Sequence, residues 1–567
     1  MAKKRDAEAK AAKGKTAHNW LALTILVGGL AVVSLDSTIL GVAVPSIVHD
    51  LHMDLADAEW LNSLYPAVVG SLLLATGTLA DRFGRHRMFM IGLIIFASAS
   101  LLAGLSPSIG PLIGARALQA LGAASIMPST LSTVNTLFRG AIRAIAFGIW
   151  GAVIAGAAAL GPIVGGALTQ WLSWRWIFFI SVPLAIILAT AAKFGVPETS
   201  KQVLRQRKTD LKRFDFLGLV LSNIGFASLI FAIIEGPNIG WWKPSAPLHL
   251  FGTTWSTSYA ISVVPLVGGV AVISLGVFFW WEVRRNRRTK HVVLDLSLFR
   301  IPTFTWGSLT VAMVSIGEFS LLFVLPLYLI HVLDHTTVEA GVMLASMATG
   351  SFISGLIAHR FAVKLGSPRT VILGLSLEVA AVIALVVMVR PHASGWSFTV
   401  PLGIYGLGVG LASAQLTGII LSGVPVDKSG QASGTQSTVR QVGSAMGTAF
   451  SGTALAVVLA VRLPKALEKM GLGREDASHL AVETRMSVGS NLDALRAETS
   501  SQAHQLVETL AAGLSQGVRG AMITSTVFLL IGLGGSLIVS RVARGQTPLG
   551  RIRIGSPRLP TLRREQK

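Results

Sequence analysis

Long apolar runs recur along almost the whole of this sequence. About fourteen of them each contain roughly 20 or more mostly apolar residues, and about 20 such residues in an α-helix cross the hydrocarbon core of a bilayer. Of the 567 residues, 52% are hydrophobic and only 13% are charged, whereas soluble proteins average about 25% charged residues. These values argue against a soluble multidomain enzyme and predict an all-α, polytopic membrane protein.

A hydropathy window of about 19 residues predicts fourteen transmembrane helices. They lie near 20–45, 59–80, 87–106, 109–135, 143–169, 174–196, 215–236, 258–282, 302–331, 337–362, 369–390, 396–423, 431–461 and 517–542. The first run is too long for the apolar region of a signal peptide and contains Asp36. We therefore expect it to be retained as the first span.

Basic residues predict the orientation of these spans. The net charge is +21, but Lys and Arg cluster between the runs and at both termini, not on one aromatic-containing face of the kind that binds nucleic acid. Counted on alternate sides, 36 of the 48 fall on the side that holds both termini. Because basic loops resist translocation, both termini are expected in the cytoplasm. The absence of Cys excludes disulfides and thiolate metal sites.

An internal repeat predicts the architecture. The segment Gly77–Phe83 reappears 278 residues later as Gly355–Phe361, which predicts two six-helix pseudo-repeat bundles joined by two extra linking helices. The predicted organisation is a cytoplasmic basic tail at 1–19, an N-terminal six-helix bundle at 20–196, linking helices 7 and 8 at 215–282, a C-terminal six-helix bundle at 302–542 with an external hairpin at 462–516, and a cytoplasmic basic tail at 543–567. The external segment has helical apolar spacing. We interpret it as a solvated hairpin, with a lid or partner-docking role as the alternative.

Two acidic residues lie deep in predicted spans. Asp36 stands in the first span and Glu318 in the ninth, where a charged side chain costs at least about 2.5 kcal/mol on insertion scales. The repeat offset places Glu318 one helical turn from Asp36 and on the same helix face. We expect both acids to face a shared cavity, in which a proton and a cationic substrate compete for a carboxylate. A structural cap or ion pair is the alternative for each.

Arg116 lies in the fourth predicted span. A buried guanidinium there needs a carboxylate or several carbonyl groups around it, so Arg116 is predicted either to couple to a nearby acid or to form a fixed structural pair. Arg440, nearer the end of span 13, is interpreted as structural, because a long side chain there can reach the interface. Glu378 is deep in span 11, but its repeat counterpart is Ser100, so a structural role is favoured.

Span 5 combines small residues with a proline. Gly156, Gly161, Pro162, Gly165 and Gly166 let helices approach closely and bend the helix, since Pro162 removes a backbone hydrogen bond. Tight packing alone explains such a pattern. A bent helix at the boundary of the two bundles would equally provide a hinge.

The loop after span 2 concentrates charge around a turn. Asp81, Arg82 and Arg85, with Arg87 following and Gly84 at the turn, predict a conformational gate in which ion pairs bridge cytoplasmic helix ends. Basic residues alone would be explained by membrane orientation. Asp81 beside the turn is the feature that favours the gate.

Four of these segments together resemble a known family. Leu35–Ile47, Gly77–Arg87, Arg116–Gly122 and Gly156–Gly166 are similar, in this order, to motifs of the major facilitator superfamily, and within it of the fourteen-span drug:proton antiporter branch that includes QacA-like multidrug exporters. The resemblance implies export by alternating access. It also implies that Asp36 takes up a proton or binds substrate, that Arg116 assists proton transfer, and that Gly161 with Pro162 forms the antiporter hinge.

One departure from that branch concerns span 13. Some exporters of quaternary ammonium compounds carry an acid where this chain has Thr438–Val442, with Arg440 at the centre. This departure weakens any expectation of divalent cationic substrates.

The sequence thus predicts a proton-coupled antiporter that exports amphipathic, cationic drugs or toxic compounds across the bacterial cytoplasmic membrane. Gln119, Ser125 and Asn135 would add polarity to a broad recognition surface. We expect a monomer that uses the proton gradient, no cofactor, no metal and no nucleic acid. The alternatives are export of an endogenous lipid, siderophore or antibiotic, and a membrane-embedded transferase. Against the transferase, no metal-ligand cluster, phosphate loop or Ser/His/Asp arrangement stands at an interpretable spacing.

Overall fold

The fold is taken from a computed structural model. It describes residues 2–138, 140–199, 215–245, 248–250, 253–288, 292, 294, 296–424, 429–487, 489–496, 498 and 500–545. The predicted C-terminal tail lies outside these residues beyond Gly545, as does most of the segment between the first bundle and the linking helices. The first helix already begins at Ala2, so the backbone of the predicted N-terminal tail continues the first span.

Within these residues the chain forms seventeen α-helices. Those before the second bundle are α1 (Ala2–Leu51), α2 (Leu55–Phe83), α3 (Arg85–Gly104), α4 (Ile109–Leu137), α5 (Gly140–Trp171), α6 (Trp176–Phe179), α7 (Ser181–Gly195), α8 (Phe216–Ile239) and α9 (Val263–Arg288). Those that follow are α10 (Pro302–Leu327), α11 (Thr337–Leu365), α12 (Ser367–Met388), α13 (Thr399–Ser422), α14 (Ser429–Lys469), α15 (Arg474–Met486), α16 (Asn491–Arg496) and α17 (Ser501–Gly545).

Twelve candidate spans in the described ranges are long and apolar enough to cross a bilayer, so the chain is a multi-span membrane protein. Helices α2 and α5 have 29 and 32 residues, but several of their side chains lie outside the described part. The count of fourteen spans therefore stays a prediction. The all-helical class is confirmed; the described residues add only an antiparallel pair, Leu248–Leu250 (β1) with Thr253–Trp255 (β2), between α8 and α9.

Helices α2 and α11 have equal lengths and similar ends. Each begins at a capping box, in which an N-cap side chain and the acid three residues later accept each other's backbone N–H. The capping pairs are Asp54 with Asp57 and Thr336 with Glu339. Each helix ends at a glycine with positive φ, 108° at Gly84 and 83° at Gly366, a conformation that side chains disfavour. The same local chemistry therefore starts and stops both helices.

For description, we call α1–α7 the first half and α10–α17 the second half; the two-bundle organisation stays a prediction. Two principal helix pairs join them: α5 packs on α11 and α2 packs on α14. We call these contacts the α5–α11 seam and the α2–α14 seam. Helix α8 packs against both helices of the α2–α14 seam, while α9 packs on α8. The linking pair is held at its start by Asp215, which accepts hydrogen bonds from Trp281 Nε1 at 2.8 Å and forms an ion pair with Arg285 at 3.2 Å.

The two ends of the bundle are packed differently. At the end where α1 ends and α2 begins, the α1–α2 end, one apolar cluster includes residues of both halves. Toward the opposite α2–α3 end, each half has its own cluster. The shared cluster includes Ile47, Leu61, Leu325, Leu459 and Met522; the separate ones include Leu26, Phe89 and Ile126, and Leu375, Leu416 and Ile420. Among the side chains that the structure describes, the apolar cluster common to both halves thus lies at the α1–α2 end.

The segment 462–516 is a helical hairpin. Helices α14 and α17 extend beyond the bundle, with α15 and α16 between them. Helix α15 contacts α2 in the first half. In the second half, Arg496 of α16 donates to Asp334 Oδ1 at 3.2 Å and to Val332 O at 3.0 Å. The hairpin therefore contacts both halves at the α1–α2 end, and its role as a lid stays a prediction.

Candidate functional site

Asp36 and Arg116 form a buried ion pair inside the first half. Asp36 lies on α1 and Arg116 on α4, each 1% exposed, and Arg116 donates to Asp36 Oδ2 at 2.6 Å. Removing one partner of a buried pair leaves an uncompensated charge, which costs about 3–5 kcal/mol. The structure thus brings together the two ionisable residues that the sequence placed deepest in this half.

Gln119 completes the hydrogen bonding of this pair. Its Nε2 donates to Asp36 Oδ1 and to Ser100 Oγ, each at 2.8 Å, and its Oε1 accepts from Arg116 at 2.8 Å. Because Arg116 and Gln119 are three residues apart on α4, both point to the same helix face. The sequence suggested Gln119 only as general polarity; the structure places it between the acid and the base.

Tyr65 of α2 lies beneath the guanidinium. The Arg116 Cζ atom is 4.3 Å from the centre of the Tyr65 ring, which is within cation–π distance. Asp36, Ser100, Arg116 and Tyr65 bring α1, α3, α4 and α2 to one polar centre. No sequence pattern singled out Tyr65, because an isolated aromatic residue in an apolar span is ordinary.

Glu318 occupies a more open environment in the second half. Its nearest basic partner is Arg440 of α14, at 3.8 Å, and their side chains are 14% and 51% exposed. Both distance and exposure make this pair weaker than Asp36 with Arg116. Among the described residues, no hydrogen bond or ion pair joins Asp36 to Glu318, so the shared cavity remains a prediction.

Glu378 is enclosed more completely than the sequence suggested. It is 0% exposed on α12, and in the described part of the chain neither carboxylate oxygen has a hydrogen-bond partner. The same holds for the buried Tyr405 hydroxyl of α13. An isolated buried carboxylate is costly when charged. Glu378 is therefore buried without the partners that a charged carboxylate needs, and its role stays a prediction.

The small residues of α5 lie against both halves. Gly161 and Gly165 pack on Thr38 and Ile39 of α1, where neither leaves room for a Cβ atom. Gly166 packs on the backbone of Thr337 at the start of α11. Four of the five predicted hinge residues, with Pro162 among them, thus lie where α5 meets α1 and α11.

Two observations bear on the hinge assignment. The carbonyl oxygen of Pro162 faces Gly341 of α11, so that the bend itself is part of the α5–α11 seam. No described atom lies within 4 Å of the position that a Cβ atom would take at Gly156. The described contacts therefore do not place Gly156 in the seam.

The predicted gate is anchored within the first half. Arg85 donates to Ser132 O at 2.9 Å and Thr136 Oγ1 at 2.6 Å, both on α4, and its backbone N–H donates to Glu198 at 3.1 Å. Gly84 packs against the same Glu198 carboxylate. The side chains of Asp81 and Arg82 lie outside the described residues. A bridge to the second half stays a prediction.

Comparison with known proteins adds the family. The profile described as Major Facilitator Superfamily matches residues 26–448. The puromycin resistance protein pur8 of Streptomyces alboniger is 32% identical over 464 residues, which cover 80% of this chain and 86% of that protein. The multidrug efflux pump LfrA of Mycolicibacterium smegmatis is 30% identical over 435 residues, covering 76% and 80%.

A solved structure shares the fold. The inward-facing, unoccupied form of a bacterial homolog of the human lysosomal transporter Spinster aligns with a TM-score of 0.57 at 17% identity, over 93% of this chain and 98% of that one. At this identity the likeness concerns the fold alone.

Proposed function

The chain belongs to the major facilitator superfamily, and from that premise we propose that it is a proton-coupled antiporter that exports amphipathic, cationic compounds across the bacterial cytoplasmic membrane. Its relatives include proteins named for multidrug efflux and antibiotic resistance, and membership in a transporter family excludes the membrane-embedded transferase. The proposed transport is driven by a proton gradient, and it requires neither a cofactor nor an oligomer. The single observation that carries it is the Asp36–Arg116–Gln119 network.

The network supplies a proton site with an internal counter-charge. Protonation of Asp36 removes the negative charge that holds Arg116, so the ion pair and its hydrogen bonds must rearrange. A cationic substrate that approaches the same carboxylate competes with the proton. Because each occupant lowers the affinity for the other, binding of one drives release of the other. Arg116 and Gln119 act here as positioning residues for Asp36.

The packing of the two ends supports alternating access. The halves share a core at the α1–α2 end and have separate cores toward the α2–α3 end. With both termini assigned to the cytoplasm by the distribution of Lys and Arg, the sealed end is external. This arrangement is the one expected when substrate enters from the cytoplasm or the inner leaflet.

The capped helices support the proposal of two equivalent bundles. Gly366 lies 282 residues after Gly84, and Glu318 lies 282 residues after Asp36. When the two halves are aligned on these helix caps, the two acids therefore occupy equivalent positions. The 278-residue sequence repeat had placed them four residues apart. In our proposal Glu318, with Arg440, is the substrate-facing acid of the second half.

Export of an antibiotic is the second candidate function. The relative named for puromycin resistance favours it, and Arg440 beside Glu318 reduces the negative charge available to a cationic substrate. Transport of neutral or anionic compounds in preference to cations would support this candidate. The mechanism at Asp36 would be unchanged.

Asp36→Asn tests the proposal directly. The amide oxygen still accepts from Arg116, but the guanidinium loses its counter-charge, so we expect a folded protein of lower stability in which the residue no longer exchanges a proton. In proteoliposomes with an imposed pH gradient, we expect ethidium-driven proton release to be abolished. Neutral and anionic compounds of similar size, measured in parallel, define the substrate charge.

Asp50→Asn is the matched control. Asp50 lies on the same helix but forms a partly exposed pair with Arg175, at 2.9 Å, which contributes little to stability. Its transport should resemble that of the unmodified protein. Proton-coupled transport that persists unchanged in Asp36→Asn would remove Asp36 from the mechanism.

A further inference from the structure

Glu59 is buried where the two halves meet. It lies on α2, is 1% exposed, and covers Gly452 of α14 so closely that no Cβ atom would fit there. Its Oε2 atom has no hydrogen-bond partner among the described residues. A carboxylate thus fills the α2–α14 seam without the partners that a buried charge requires.

Helix α8 closes this site from a third side. Glu235 of α8 accepts a hydrogen bond from Trp60 Nε1 at 2.9 Å, and Thr453 of α14 donates to Ile233 O at 3.0 Å. The Glu59 and Glu235 carboxylates are close enough to repel each other electrostatically. Three helices therefore converge on Glu59, one of them a linking helix.

The charges around Glu59 are predominantly negative. Asp54 of α2 repels it together with Glu235 of α8, and Asp57 of α2 lies near Glu235. Arg485 of α15 interacts with Asp54. Helix α14 presents Gly452, which carries no charge. Within the described part of the chain, no ion pair or hydrogen bond from a basic side chain reaches Glu59, in contrast to Asp36 and Glu318.

These contacts favour one protonation state of Glu59 in the sealed seam. An ionised carboxylate would be buried beside other acids with no described basic side chain bonded to it, whereas the neutral acid needs only a partner for its hydroxyl. The close fit against Gly452 leaves no space for an organic cation. A proton is the ligand that satisfies both the charge and the packing.

We propose that Glu59 is a proton-binding site that holds the α2–α14 seam closed: the seam seals around the protonated acid and opens when the acid loses its proton to external water. Glu235 lies beside the site and disfavours ionisation of Glu59 while the seam is sealed. The site is separate from the Asp36 network and acts on the conformation of the external end.

The direction of the pH effect follows from linkage. The sealed state holds a proton that the open state releases, so rising external pH favours opening and acid favours sealing. One ionisation changes the ratio of open to sealed molecules by up to about tenfold per pH unit. The inference rests on the alternating access in the proposed function, but it requires neither transport of a given substrate nor a role for Asp36.

The experiment measures the external end directly. Because the chain contains no Cys, spin labels can be placed at Leu105→Cys and Val387→Cys, exposed positions beyond α3 and on α12. Double electron–electron resonance in nanodiscs, without substrate, gives their distance distribution from acidic to basic pH. We expect a short population at acidic pH and a growing long population as pH rises.

Two substitutions test the assignment. In Glu59→Gln, which is permanently neutral, the short population should persist at every pH. In Glu235→Gln, loss of the neighbouring negative charge makes ionisation of Glu59 easier. The pH at which half of the molecules show the long distance should therefore be lower. The second variant keeps the test available if the first does not fold. Asp50→Asn, carrying an acid-to-amide change outside the seam, should respond as the unmodified protein does.

The outcomes separate this inference from the proposed function. A Glu59→Gln protein with an unchanged pH response, or a Glu235→Gln protein with an unchanged midpoint, would overturn the inference, as would opening that follows Na⁺ concentration and not pH. Loss of the response in Glu59→Gln would support it even if no proton-coupled export were detected. If Glu59→Gln showed normal antiport and an unaltered pH response, the inference would be overturned and the proposed function would be unaffected.

Discussion

The two seams that join the halves close the same end of the molecule with different chemistry. The α5–α11 seam is built from small residues and backbone: Gly166 packs on Thr337, Gly341 packs on Pro162, and the Val338 N–H donates to Gln170 at 3.0 Å. The α2–α14 seam contains the buried Glu59 and is covered by α8. No charged group takes part in the named contacts of the first seam, whereas the second contains a titratable one.

Because of this difference, we expect the two seams to respond to different changes. A seam of small residues depends on close approach of backbones, which hydrogen ions do not alter. A seam around a carboxylate depends on the charge of that group and hence on pH. We therefore expect steric substitutions to weaken the α5–α11 seam equally at all pH values, and changes near Glu59 to alter the pH response.

The largest expected effect comes from Gly166→Val. The added side chain would meet the backbone of Thr337 and Val338, the latter at 3.0 Å from the Cβ position, and backbone cannot move aside as a flexible side chain can. Overpacking of this kind costs about 1–3 kcal/mol or more. We expect a long Leu105–Val387 distance at every pH and loss of most transport.

Gly156→Val is the matched control for this substitution. It lies on the same helix, and no described atom lies within 4 Å of its Cβ position, so the Leu105–Val387 distance should change far less. Because Gly156 is itself a predicted hinge residue, the comparison uses this distance and not transport. Similar changes in distance from both substitutions would mean that the helix itself, and not the seam, had been damaged.

Gly452→Ala should have a smaller effect of a different kind. The new methyl group would displace the end of the Glu59 side chain, which is flexible enough to move. We expect a loss of about 1 kcal/mol in sealing, about fivefold in population. The loss should be greatest at acidic pH, where sealing depends on Glu59, and resonance distances across the pH range measure it. A pH-independent loss would show that Gly452 acts by packing alone.

Gln170→Ala should have the smallest effect. It removes one hydrogen bond, from the Val338 N–H, at an exposed position, where water replaces the lost partner. The expected cost is about 0.5 kcal/mol, the low end of the range for a hydrogen bond, with no change in the pH midpoint of opening. A displaced midpoint in this variant would contradict the division between the two seams.

The sequence predicted the polar centre of the first half better than that of the second. Asp36 and Arg116 stand in the middle of apolar runs, where bilayer insertion makes any charge expensive, so their burial follows from the neighbouring residues. Glu318 was identified by the same reasoning, yet its arginine is half exposed and 3.8 Å away. Depth in a helix does not determine what lies opposite it.

Glu59 shows why some functional candidates escape sequence reasoning. It stands at the predicted start of the second span, where an acidic residue is ordinary because it is favourable at a helix N-terminus. Its burial depends on α8 and α14, which come from distant parts of the chain. Repeat comparison likewise gave no reason to expect the complete burial of Glu378, because its counterpart is a serine and the enclosure by α13 is a tertiary contact.

The order of apolar runs and basic loops was sufficient to establish a helical, multi-span membrane protein, and buried charge and small-residue spacing selected Asp36, Arg116 and α5. These features are local, since a bilayer imposes its cost on each segment separately. Which groups pair, which end is sealed and which acid lies in a seam were decided by packing between helices that are distant in sequence. A transporter must adopt more than one such packing with the same residues, so local pattern cannot specify it.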